Sequence, residues 1–93
     1  MIYYDVKYTP EAERDVEALK KTGNKAVINK LYQLLIELRE HPYTGTGKPK
    51  QLKYGFPGCY SRRITQKHRL VYSVNDETIT VLLLSASGHS DDK

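Results

Sequence analysis

The stretch YSRRITQKHRLVY, residues 60–72, reads as strand, turn and strand, yet it carries five basic residues. Side chains alternate across a strand, so Tyr60, Arg62 and Ile64 share one face while Cys59, Ser61, Arg63 and Thr65 share the other. On the return strand Leu70, Tyr72 and Val74 read as core, which leaves Arg69, Val71 and Ser73 on the opposite side. A hairpin loop with an odd number of residues sets Ile64 across from Leu70 and brings Arg63 and Arg69 together on the face away from the core. No glycine sits in Gln66-Lys67-His68, so turn chemistry gives no independent support for that loop length.

Working outward, IYYDVKY (residues 2–8) is rich in β-formers and predicts a first strand. Thr9 is a helix N-cap candidate, Pro10 suits the first helical position, and Glu11 and Glu13 complement the positive end of the helix dipole. A helix over about 10–21 follows with Ala12, Val16 and Leu19 on its apolar stripe, and Thr22-Gly23-Asn24 ends it. Val27, Ile28, Leu31, Leu34, Leu35 and Leu38 form the wide apolar face of a second helix, stopped by His41-Pro42. The short break makes the two helices an antiparallel hairpin. Residues 42–52, PYTGTGKPKQL, have no periodicity and read as a loop. Strand-like runs at 57–65, 69–74 and 78–87 complete the order β-α-α-β-β-β, with Asn75-Asp76 at the second turn. The expectation is a small α+β domain over residues 1–93, a helical hairpin covering one face of a mainly antiparallel sheet, with a polar tail from about 88 to 93.

Composition narrows the function. The 93 residues include 15 Lys and Arg against 11 Asp and Glu, a net charge of +4, and the acids gather early (Glu11, Glu13, Asp15, Glu17) and at the very end. The middle is therefore strongly basic, which points to an anionic partner such as nucleic acid. Cys59 is the only cysteine, and His41, His68 and His89 are scattered, so neither an internal disulfide nor a metal set is expected. The N-terminus has charges where a signal peptide needs an apolar core, and Val81 to Leu84 is too short to span a bilayer. A cytoplasmic protein without cofactor or membrane association is expected. A DNA-binding reading fits the charge, but the second helix, with Lys25, Lys30 and Arg39 among leucines, is a poor recognition helix.

Planar guanidinium forks suit phosphate oxygens and stay charged at every working pH, so Arg63 and Arg69 on one open face, near a Gly-Lys-Pro-Lys loop, form a candidate phosphate site. Arg62, Lys67 and Lys53 read more simply as a solvated face.

GTGKPKQL, YSRRITQKHRLVY and the late SASGHS, in that order and spacing, resemble the YoeB/Txe family of toxins in the RelE superfamily over residues 3–90. The resemblance implies a RelE-like fold and a ribosome-dependent endoribonuclease, an mRNA interferase that cuts mRNA without metal and so inhibits translation. It also implies a cognate antitoxin and a homodimer. Metal-free cleavage needs a base for the 2′-hydroxyl, an acid for the leaving 5′-oxygen and cations for the charged phosphorane. Carried over by motif, Arg69 is the principal cation, Arg63 supports it and His89 is the acid. His89 without the resemblance would read as a tail histidine with no role. Lys48, Lys53, Arg62, Lys67 and His68 become candidate RNA contacts, and His68 reads equally as a substitute base or a turn residue. Two positions depart from the family pattern: Lys50 stands where a base Glu is usual, and Ser90 where Tyr is usual. Lysine, protonated near neutrality, is a better electrostatic clamp than a base. The departures fit either a lysine-based mechanism or an attenuated variant that still binds RNA, ribosome and antitoxin.

Overall fold

The computed structural model describes residues 3–45, 50–51 and 58–86. Its first strand, β1 (Asp5–Tyr8), runs into helix α1 (Pro10–Lys21) through Thr9, whose hydroxyl accepts the Ala12 N–H at 3.1 Å and so caps the helix. Gly23, at φ +71°, takes the left-handed conformation that ends α1. Asn24 then caps α2 (Lys25–Glu40) by accepting the Ala26 and Val27 N–H groups at 3.1 and 3.3 Å. The remaining elements are β2 (Lys50–Gln51), β3 (Cys59–Arg63), β4 (Arg69–Asn75) and β5 (Thr80–Ser85).

The five strands form one sheet in the order β1-β5-β4-β3-β2, with β1 parallel to β5 and the other pairs antiparallel. This is the expected α+β architecture with one addition. The segment predicted as loop contains β2, two residues that no periodicity could announce. Ala12, Val16 and Leu19 of α1 and Leu31, Leu34 and Leu38 of α2 pack with Leu70, Tyr72, Val81 and Leu83 on one face of the sheet. Leu35, expected on that face, is only partly buried. Among the described residues no helix is long and apolar enough to cross a membrane.

The hairpin is tighter than the expected pairing. Arg62 lies opposite Leu70, Arg63 opposite Arg69, and the Ile64 N–H donates to the His68 carbonyl, so Thr65, Gln66 and Lys67 make the turn. Ile64 and Leu70 are therefore not direct partners. The loop is still odd in length, which keeps each side chain on its expected face. Thr65 supplies what glycine would have supplied: its hydroxyl accepts the backbone N–H groups of Lys67 and His68, each at 3.0 Å.

Arg62 is not a solvated cation or an RNA contact. It is fully buried, on the same face as Tyr60 and Ile64. Its Nε donates to the Tyr72 hydroxyl at 3.1 Å and Nη1 to Glu37 Oε1 at 3.0 Å, while Nη2 donates to the carbonyls of His41 and Thr44. The Tyr72 hydroxyl in turn donates to the Pro42 carbonyl at 2.7 Å. A buried guanidinium is tolerated only with its donors satisfied, and these partners are the Tyr72 hydroxyl, the Glu37 carboxylate near the end of α2 and two carbonyls of the segment that leaves it. Gly45 is required beside this network, because a Cβ there would lie 2.5 Å from Glu37 Oε1 and φ is +118°.

An aromatic row continues the network. Tyr72 stacks with Tyr60 at 6.0 Å between centroids, and Tyr60 meets the edge of Tyr43 at 5.3 Å. Tyr43 and Tyr4 both donate hydroxyl hydrogen bonds to Asp76, at 2.7 and 2.5 Å, which holds the Asp76 carboxyl below the usual carboxylate range and raises both phenols.

Two outcomes follow from these contacts. Arg62→Ala, which strands buried acceptors, should cost about 3–5 kcal/mol in urea unfolding, whereas Arg63→Ala one residue away should stay within about 0.5 kcal/mol. Asp76 has a lowered folded pKa, so its contribution is present above the unfolded value and is lost as pH falls through the folded one. The Tm deficit of Asp76→Asn should thus be full near neutrality and close below about pH 4.

Candidate nucleic-acid interface

The face of the sheet opposite the helices is where the register collects cations. Arg63 and Arg69 are direct cross-strand partners, and Lys50 pairs with Ser61, two residues before Arg63. Partners in an antiparallel ladder point to the same side, so Lys50, Arg63 and Arg69 share one face. Directly opposed side chains have Cβ atoms about 4.5–5.5 Å apart and diagonal ones about 7–8 Å, so Arg63 lies beside Arg69 and one diagonal step from Lys50. Lys50 and Arg63 are exposed and Arg69 is half-buried. Among the described residues none of the three forms an ion pair. Like charges placed opposite each other cost stability, and among the described residues no carboxylate offsets them. A phosphate would.

The neighbours of these cations are small or neutral. Ser61 and Cys59 are buried on this face, and burial pushes the Cys59 thiol up, so it stays protonated and is a weak nucleophile near neutrality. His68 is half-buried in the turn, its Nδ1 3.0 Å from the Thr65 hydroxyl, while Lys67 is exposed beside it. Both sit at the end of the hairpin that carries Arg63 and Arg69. Lys48, Lys53, His89 and Ser90 lie outside the described residues. Of the expected contacts, then, the fold brings together Lys50, Arg63 and Arg69, sets Lys67 and His68 next to them, and removes Arg62 to the core.

Sequence reasoning missed Ser61, the β3 residue through which Lys50 is registered, and Glu37, the partner of Arg62. The first left no signal, since β2 is too short to show alternation. The second did: Arg62 alternates with Tyr60 and Ile64, and an arginine on an apolar face implies a buried acceptor.

Two helices packed on a five-stranded mixed sheet is the fold of a group of small bacterial toxins. A YoeB–YefM complex from Staphylococcus aureus contains a chain that superposes with a TM-score of 0.77 at 33% identity, covering 92% of this chain and 97% of that one. The YoeB dimer from the same organism gives 0.79 at 33%, over 94% and 98%. Toxin YoeB of Escherichia coli K12 is 41% identical over 58 residues, 62% of this chain and 69% of the relative. Residues 8–89 match the model of the YoeB-like toxin of bacterial type II toxin-antitoxin systems, and the chain belongs to that family.

If the cationic face binds a phosphate chain, affinity for single-stranded RNA should fall steeply between low and physiological salt. Arg63→Ala and Arg69→Ala should each flatten the log–log salt slope by about 0.7. Filter binding across a salt series reads both, and an unchanged slope in the double variant would reduce this face to solvated surface.

Proposed function

We propose that the chain is a ribosome-dependent endoribonuclease toxin, cleaving mRNA in the cytoplasm and held in check by a cognate antitoxin. The observation that carries this reading is the opposition of Arg63 and Arg69 on the open face, with Lys50 registered beside them. In-line attack of a 2′-hydroxyl on its phosphate builds negative charge on the non-bridging oxygens, and two guanidinium groups fixed on adjacent strands meet that charge without reorganising. Arg69, half-buried and so more restricted, is the principal clamp, and Arg63 supports it. His89 donates the proton to the leaving 5′-oxygen, a task suited to an imidazole whose ordinary pKa is close to neutrality. Lys67 and His68 at the hairpin end, with Lys48 and Lys53, guide the flanking RNA. The antitoxin and a homodimer are the partners, in line with the Staphylococcus aureus relatives whose structures are a YoeB–YefM complex and a YoeB dimer.

A second reading is favoured by one position. Lys50 brings a third cation to the face where the family pattern has a carboxylate base, and Ser90 replaces the following aromatic. On that reading the protein binds RNA and antitoxin but turns over slowly, because loss of a general base costs about 10²- to 10⁴-fold.

Cleavage of mRNA on programmed ribosomes separates the two. Arg69→Ala should abolish cutting by the unaltered chain. Lys50→Glu, alone and with Ser90→Tyr, should raise cleavage by about 10²-fold if the base is missing, and lower it if Lys50 clamps the transition state. No change in any variant would put residue 50 outside the reaction.

A further inference from the structure

Of the four acids in α1, Glu11, Glu13 and Glu17 are exposed, whereas Asp15 is half-buried. Its Oδ2 accepts the backbone N–H of Ala86 at 3.0 Å, a contact between residues 71 positions apart. Among the described residues no cation pairs with it. Thr9 reaches the same stretch of chain. Its hydroxyl donates to the Leu84 carbonyl at 3.0 Å while accepting the Ala12 N–H that caps α1, and its own N–H donates to the Leu83 carbonyl at 3.0 Å. The start of α1 thus holds the end of β5 at Leu83, Leu84 and Ala86.

That end of β5 contains a register shift. Tyr72 lies opposite Leu83, but the next β4 residue, Val71, lies opposite Ser85, so Leu84 is one residue more than the ladder needs. An extra residue reverses the alternation of side chains beyond it. Val81 and Leu83 are buried under the helices, and unbroken alternation would place Ser85 there next. Instead Ala86 is fully buried in that core, and Ser85 is half-buried opposite Val71 on the other face. Bulges concentrate where a sheet re-aims a side chain or ends its pairing. Continued by one step, this register sets Ala86 level with Leu70, one residue short of Arg69.

We infer that Asp15, helped by Thr9, is a positioning residue for the acid of the reaction: by fixing Ala86 at the end of the bulged strand it directs His89 to the face that carries Arg63 and Arg69. The inference rests on the nuclease reading for the role of His89. His89 is three residues beyond Ala86, a span of at most about 10 Å in extended chain. Over so short a length the departure point decides which face the imidazole can serve. Parity agrees, because Ala86 is inward and an odd number of extended steps from it ends outward, on the side of Arg69. With regular alternation through Leu84 the same count would end beneath the helices. The Asp15 carboxylate suits this task, since its hydrogen bond is charge-assisted and its helix is held by the buried Ala12, Val16 and Leu19. A general acid works only within hydrogen-bond reach of the leaving oxygen, so a shift of about 1 Å is felt in the chemical step. RNA affinity, which the cations supply, is left alone.

The test is single-turnover cleavage of mRNA on programmed ribosomes by the full chain, with ribosome affinity measured separately. Asp15→Ala should slow cleavage by about 10- to 100-fold and leave affinity within about 2-fold. Asp15→Asn, whose side-chain carbonyl can still accept the Ala86 N–H, should stay within about 3-fold of the unaltered chain. In a His89→Ala background, Asp15→Ala should cause no further loss. Amide exchange at Ala86 should quicken by about 10-fold in Asp15→Ala but not in Asp15→Asn, whether or not any RNA is cut. If Asp15→Ala fails to fold, Asp15→Ser, whose hydroxyl ends short of the Ala86 N–H, takes its place in every comparison. An equal loss with and without His89, or Asp15→Asn as slow as Asp15→Ala, reduces Asp15 to a structural contact and overturns the inference. An unaltered chain that cuts no mRNA while Ala86 exchange responds as stated removes the nuclease reading, and the role of Asp15 with it.

Discussion

Burying Arg62 is the constraint on which the arrangement of this small domain depends. A guanidinium taken out of water needs its donors matched, and the matching acceptors come from the carboxylate of Glu37 and the carbonyls of His41 and Thr44. Those groups belong to the last turn of α2 and the segment that leaves it, so one side chain of β3 fastens the helical layer to the sheet. The same network carries Tyr72 and, through the stacked tyrosines, Asp76 in the turn between β4 and β5. Elements far apart in sequence are thereby tied to a single ion.

The period of a strand converts that burial into a functional consequence. Because successive side chains point to opposite faces, an inward Arg62 forces Arg63 outward, and the ladder sets Arg69 opposite it. The pair of consecutive arginines is thus divided between two tasks, one holding the fold and one facing solvent. A one-residue slip would exchange them, placing Arg62 in water and Arg63 under the helices without acceptors. The apolar pattern on either side of the hairpin makes that slip costly.

The two edges of the sheet are also different in kind. At one edge β2 carries Lys50 onto the open face, where its neighbours are cations and small polar groups. At the other, the backbone groups of Val6 and Tyr8 have no backbone partner among the described residues and lie beside an aromatic groove. Natural sheets commonly protect such an edge with charge, proline or a bulge. Here the open stretch lies between tyrosines and also carries the exposed charges of Asp5 and Lys7.

Much of this was legible in the chain as written. Both helices could be located from their caps and apolar spacing, since Thr9, Gly23 and Asn24 act through local hydrogen bonds and backbone freedom. The faces of the hairpin could be read because alternation is a property of the strand itself, so the outward placement of Arg63 and Arg69 needed no tertiary information. The direct pairing of those arginines did, because the turn is closed by the Thr65 hydroxyl and not by a glycine that would have announced its length. β2 was illegible: two residues have no period, and only the exposed edge of β3 makes them a strand. The fate of Arg62 lay between these cases. Its alternation with Tyr60 and Ile64 marked it as inward-facing, but a charge on an apolar face is improbable until its acceptors are known, and those acceptors come from residues 18 to 25 positions earlier in the chain. Local physics could therefore settle which way each side chain points. Which charges are matched is a sum over the whole fold, and only the tertiary structure could decide it.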